Sequence, residues 1–141
     1  MNKIQQVMLV DDCKATNYIS RLIIEKYGFA EEIIEVMNGL EAITYLSTAQ
    51  DGKYPQPGLV FLDLNMPVMN GWEFLERYKL LPDEQKAGVV VVMLTTSLNP
   101  DDEMEAGGIC DVKSFSCKPL TLEKLDRVLA EYYPGSVRSQ S

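Results

Sequence analysis

The chain has 141 residues, 46% of them hydrophobic, and a formal net charge of −8, which fits one globular domain and leaves no room for a separate effector domain. No two basic residues are adjacent, which argues against direct nucleic-acid binding, and no apolar run approaches the roughly 18 residues of a membrane span, so a cytoplasmic protein without membrane insertion is expected. There is no histidine, so any imidazole or phosphohistidine chemistry must come from a partner.

In chain order, Val7-Met8-Leu9-Val10 reads as a buried strand that runs into Asp11-Asp12. The segment 14–27 then places Ile19, Leu22 and Ile23 on one apolar helical face, and Gly28 supplies a left-handed stop. A short second strand covers 33–36. Asn38 caps the next helix with Glu41 three residues on, Ile43 and Leu46 form its apolar side, and it ends near Ser47. Residues 48–58, with Gly52, Pro55, Pro57 and Gly58, form the longest irregular connection. The run Leu59-Val60-Phe61-Leu62 is the third strand and delivers Asp63 into the turn that ends it. Asn70-Gly71-Trp72-Glu73 opens a helix to about Leu81, with Asn70 and Glu73 spaced as a capping box. Residues 89–94 are apolar at every position, as a central strand covered on both faces requires, and they end in Thr95. Asn99-Pro100-Asp101-Asp102 combines a cap, a first-turn proline and dipole-matching acids at the start of a fourth helix. Ser114-Phe115-Ser116-Cys117 is a shorter strand running into Lys118-Pro119. Thr121 caps a last helix whose Leu122, Leu125, Val128, Leu129 and Tyr132 face the sheet. The domain is expected to span 1–134, with 135–141 a disordered polar tail.

Strand and helix periods thus alternate five times, a (βα)5 pattern that predicts a parallel five-stranded sheet with helices on both faces. Right-handed crossovers place the C-terminal ends of all strands on one edge, where ligands of open α/β sheets bind. Three acids, a hydroxyl and an ammonium then converge there. Carboxylates within a few ångströms repel pairwise by about 4 kcal/mol at an effective dielectric near 20, so the cluster must hold a proton or a cation. The all-oxygen set suits Mg²⁺, with Asp12, Asp63 and the backbone carbonyl of Asn65 as direct ligands and Asp11 acting through water. Taken alone, Asp11-Asp12 reads better as an exposed turn capping the next helix than as a metal pair. A bound Mg²⁺ would orient a phosphoryl donor, leaving Asp63 as nucleophile, with Lys118 and Thr95 on phosphoryl oxygens. Taken singly, Lys118 is a surface lysine and Thr95 a strand end; their shared location makes the functional reading the stronger one. Cys13, Cys110 and Cys117 form no CxxC pair, and reduced thiols are expected of them, buried and inert at Cys13 and Cys117.

The motifs Val10-Asp11-Asp12, Leu62-Asp63-Leu64-Asn65-Met66-Pro67, Asn70-Gly71, Leu94-Thr95-Thr96 and Lys118-Pro119 are each weak and together highly specific. In this order and spacing the chain resembles the receiver domain of two-component response regulators, from Val7 to about Tyr132. The resemblance implies a flavodoxin-like sheet of order 2-1-3-4-5. It makes Asp63 the phosphoacceptor, supplied by a sensor histidine kinase or a histidine phosphotransfer protein. Asp11 and Asp12 become the acidic metal pair for Mg²⁺, or Mn²⁺ in its place. Thr95 becomes the switch hydroxyl, Lys118 the phosphate-contacting lysine, Phe115 the rotating aromatic, and the Lys118–Pro119 bond is expected to be cis. Phosphorylation would draw Thr95 and the loop 96–99 toward the phosphoryl group and turn Phe115 inward, altering a protein-binding face made of the fourth helix, last strand and last helix. The downstream target is not legible.

Three features depart from the common pattern. Thr96 stands where a small residue is usual, the 48–58 loop is long, and Phe115 lacks the hydroxyl of the tyrosine found in many members. Rival readings fare worse. Aspartyl phosphatases of the haloacid dehalogenase type carry a second aspartate two residues after the nucleophile, where this chain has Asn65, so turnover of external substrates is not expected. Pseudo-receivers usually lack an acid, hydroxyl or lysine that is present here, and no GxGxxG or P-loop follows the first strand.

Overall fold

Alternation along two strands decides the architecture. In β1 (Ile4–Val10) and β3 (Leu59–Asp63), Val7, Leu9, Leu59 and Phe61 point to one side of the sheet, while Met8, Val10, Val60 and Leu62 point to the other; all eight are buried. The first set packs against α1 (Lys14–Tyr27) and α5 (Leu122–Tyr132) through Ile24, Tyr27, Leu125, Val128 and Leu129. The second packs against α2 (Gly39–Leu46) and α3 (Gly71–Lys79) through Ala42, Leu46, Phe74, Leu75 and Tyr78. Each large apolar side chain fully buried in these two layers contributes about 2 kcal/mol. The computed structural model describes residues 3–87, 90–95 (as backbone), 100–108 and 112–137.

All strand pairs are parallel, in the order β2-β1-β3-β4-β5, with β2 at Ala30–Val36, β4 at Val90–Thr95 and β5 at Val112–Cys117. This is the flavodoxin-like arrangement. The registers Val10↔Leu62, Asp63↔Leu94 and Thr95↔Cys117 line the strand ends up along one edge. α4 (Pro100–Gly107) lies against β5.

Local chemistry sets the helix ends. Asn70 accepts from the Glu73 N–H while the Glu73 carboxylate accepts from the Asn70 N–H, a reciprocal box at the start of α3. Asn38 and Thr121 cap α2 and α5 in the same sense. Gly28 ends α1 at φ 85°, the left-handed region that glycine enters without a Cβ penalty.

Three readings need correction. The buried face of α1 is Asn17, Ser20, Ile24 and Tyr27, whereas Ile19 and Leu22 are 48% and 45% exposed and only Ile23 of the expected face packs on the core. The reason is polar: the Asn17 amide donates to the Asp11 carbonyl at 2.9 Å, so the inward face near the acidic edge is hydrogen-bonded and apolar counting selects the wrong stripe. β2 starts at Ala30, ahead of 33–36, because an edge strand tolerates the polar Glu31 and Glu32 that hide its period. The described chain also continues in packed structure past 134, as far as 137. Pro134–Ser136 forms a 3₁₀ turn, Ser136 is buried and Val137 packs on the α1/α5 layer. The Tyr133 hydroxyl anchors this end by donating to the Gly58 carbonyl at 2.6 Å. Within 48–58, Gln50 and Lys53 pair antiparallel around Asp51 and Gly52, both at positive φ. The Asn99 cap, the start of the fourth strand at Val89, the loop 96–99 and residues 138–141 lie outside the described residues.

Candidate functional site

β1 and β3 end side by side, and each ends in acid. Asp63 is the last residue of β3 and Asp11 follows β1 directly; both are buried, while Asp12 is exposed. A carboxylate oxygen from each of the three lies within 4.8 Å of the others. From the end of β5, Lys118 reaches across with Nζ 2.6 Å from Asp11 Oδ2 and 3.1 Å from Asp63 Oδ1. The other Asp11 oxygen accepts the Cys13 N–H at 2.9 Å, so Asp11 is pinned on both sides. The backbone N–H of Asn65 donates to Asp63.

The charges are unequally placed. Burial pushes the Asp63 carboxyl above its ordinary 3.8, and the Asp11 charge pushes the same way; the hydrogen bond and charge of Lys118 offset part of this. For Lys118, burial works to lower its pKa, but the hydrogen bonds to Asp11 and Asp63 outweigh it and hold the ammonium above the usual lysine range. Asp63 is therefore a carboxylate held in place against its own desolvation, in contact with a firmly protonated lysine.

The turn that follows Asp63 is strained. Val68, a β-branched residue, sits at φ 66° and is 73% exposed. Around it the Met69 N–H bonds the Pro67 carbonyl at 2.6 Å, and the Gly71 N–H bonds the Leu64 carbonyl at 3.0 Å. Gly71 is required by close approach: a Cβ there would stand 2.5 Å from the Asp63 carbonyl oxygen and 3.0 Å from Leu64 Cα. The helix that follows the acid is thus seated on the acid's own backbone.

Of the other predicted positions, Thr95 pairs with Cys117 at the strand ends, next to Lys118; its hydroxyl lies outside the described atoms. Phe115 is half-buried on β5 against the α2/α3 layer. The Lys118–Pro119 bond is cis. Cys13 departs from the buried, inert reading: it is exposed at the N-terminus of α1, and hydrogen bonds from Thr16 hold its thiol below the usual range. Sequence reasoning missed Asn17 and the Cys13 N–H as supports of Asp11, since both act through or upon the backbone. It also missed Lys124, whose ammonium approaches the carbonyls of Cys117 and Pro119.

As a cation site, the edge offers only oxygen from these acids, two buried and one facing solvent, which fits a hard divalent ion that keeps several waters. A model of the response regulator receiver domain matches residues 7–130. The chain belongs to the response regulator receiver family. Among its relatives, the probable methanogenesis regulatory protein FilR2 of Methanothrix harundinacea is 33% identical over 136 residues, covering 94% of this chain and 86% of its own. A solved two-component response regulator from Cytophaga hutchinsonii has a TM-score of 0.82 at 32% identity, covering 94% of this chain and 99% of that one. The Mn²⁺-bound form of response regulator Rcp1 has a TM-score of 0.72 at 28% identity, covering 97% and 99%. This receiver accordingly has the family's role, that of a phosphoacceptor in two-component signal transduction. No helix among the described residues is long and apolar enough to cross a membrane.

Proposed function

We propose that Asp63 is the residue that accepts the phosphoryl group, from a phosphohistidine on a sensor histidine kinase or a histidine phosphotransfer protein. The observation that carries this is the position of Asp63: buried at a strand end, within 4.8 Å of two further acids and 3.1 Å from the Lys118 ammonium. An Asp63 carboxylate oxygen forms the new O–P bond as the N–P bond of the donor breaks, and the electron pair of that bond stays on the donor's imidazole nitrogen. Lys118, already on Asp63, neutralises charge on a phosphoryl oxygen in the transferred group. Asp12, Asp63 and the Asn65 carbonyl would hold Mg²⁺ or Mn²⁺ directly, with Asp11 through water; the bound ion supplies charge neutralisation and alignment of the donor. The Mn²⁺-bound form of Rcp1 supports that ion class for this donor set.

Thr95 is assigned the switch hydroxyl. The loop 96–99 and Phe115 carry its movement to a face formed by α4, β5 and α5, where an unidentified protein binds. The protein works in the cytoplasm, without direct nucleic-acid contact. It does not turn over external esters, because Asn65 stands where a phosphatase of this chemistry needs a second acid. Incubation with acetyl phosphate and Mg²⁺ should add one phosphoryl group, read by intact mass, and Asp63→Asn should abolish it. Equal modification of Asp63→Asn, or steady phosphate release from a generic ester in large molar excess over protein, would overturn the assignment.

A further inference from the structure

The position three residues after a helix cap follows one rule in α2 and α3 and breaks it in α5. Glu41 and Glu73 occupy it in the first two, where a negative charge matches the helix dipole and accepts a free N–H, from Met37 and Asn70 respectively. In α5 the residue is Lys124, three after the Thr121 cap. A cation in the first turn is disfavoured by the dipole and cannot complete a capping box. Its side chain instead folds back over the loop that enters the helix. Nζ donates to the carbonyl of Cys117 and to the carbonyl of Pro119 at 2.9 Å, with Cys117 Sγ 3.9 Å away.

Those two carbonyls bracket Lys118 in the chain. One half-buried ammonium therefore ties down the backbone on both sides of the residue whose own ammonium rests on Asp11 and Asp63. Lys118 is a flexible four-carbon side chain, and its reach to two particular oxygens depends on where its Cα is held. We infer that Lys124 is a positioning residue for phosphoryl transfer: by clamping the Cys117 and Pro119 carbonyls it fixes the β5–α5 loop so that Lys118 meets the phosphoryl group on Asp63. This rests on the assignment of Asp63 and Lys118 made above.

The test is the rate of phosphorylation by acetyl phosphate, measured against donor concentration at fixed Mg²⁺. Lys124→Met should lower the rate at saturating donor roughly tenfold or more, since small misplacements of a reacting group are costly. Mg²⁺ affinity, measured by calorimetry, should stay at the wild-type value because Asp12, Asp63 and Asn65 are untouched. Lys124→Arg, which keeps a cationic donor for both carbonyls, should recover most of the rate. Leu129→Ala weakens the packing of α5 away from the clamp and should reduce thermal stability but not the saturating rate. In a Lys118→Ala background, Lys124→Met should cost nothing further. Lys124→Leu, which likewise lacks a donor, serves under the same criteria if Lys124→Met does not fold. An unchanged saturating rate in Lys124→Met, or an equal loss with and without Lys118, would overturn the inference while leaving Asp63 as acceptor. Modification of Asp63→Asn would instead sink the underlying assignment.

Discussion

At the scale of single residues, Asp63 is where function and stability pull apart. Its carboxyl is held above the ordinary 3.8 by burial and by the Asp11 charge, so it binds a proton more tightly in the folded chain than in the unfolded one. The resulting stability is fully present below 3.8 and is lost as pH rises through the raised value. Asp63→Asn should therefore melt higher than wild type at neutral pH without divalent ions, and the difference should vanish on acidification below the carboxylate range. Thermal unfolding across that pH span checks it. Val68 is the second residue at odds with its place. Relief of its φ of 66° by Val68→Gly should stabilise the protein by about 1 kcal/mol in denaturant unfolding, net of glycine's greater chain entropy. The acids were legible in the sequence because they end apolar runs, and Lys118 because it ends a short strand just before Pro119. The exposure of Cys13 and the strain at Val68 were not, because they depend on the path a loop takes between fixed ends.

Elements reveal a different limit. The start of α3 is seated on the Asp63 carbonyl through Gly71, and a methyl group there meets backbone that has no room to yield. Gly71→Ala should cost about 2 kcal/mol of stability and slow phosphorylation, because the displaced atoms are those of the acceptor's own peptide; urea unfolding and intact-mass kinetics check the two halves. The capping box at Asn70 and Glu73 could be read from spacing alone, since its chemistry is local. The inward face of α1 could not. Its Asn17 faces inward because Asp11 offers a carbonyl, a tertiary circumstance that no periodicity in 14–27 records. Lys124 is the same kind of case: a lysine in a first turn stands out as an anomaly in the sequence, but its partners are known only once the loop is closed.

For the whole molecule, the five-fold alternation of strand and helix periods was enough to predict a parallel sheet with helices on both faces, and the sheet order followed from the family resemblance rather than from the pattern itself. Collecting three acids on one edge makes the fold respond to ions as a unit. Mg²⁺ at one hundred times its dissociation constant should stabilise the protein by about 2.7 kcal/mol, visible as a rise in melting temperature that EDTA reverses and that Asp12→Ala reduces. The opposite edge has its own arrangement. α5 runs about 16 Å back from the acids, and Lys3 and Ile4 share a surface cleft there with Gly58, Tyr133, Gly135 and Ser136. Both ends of the described chain thus leave from the base of the molecule. A receiver held to a sensor surface through residue 3 or residue 137 would stand with its acceptor edge outward, open to donors as large as a kinase.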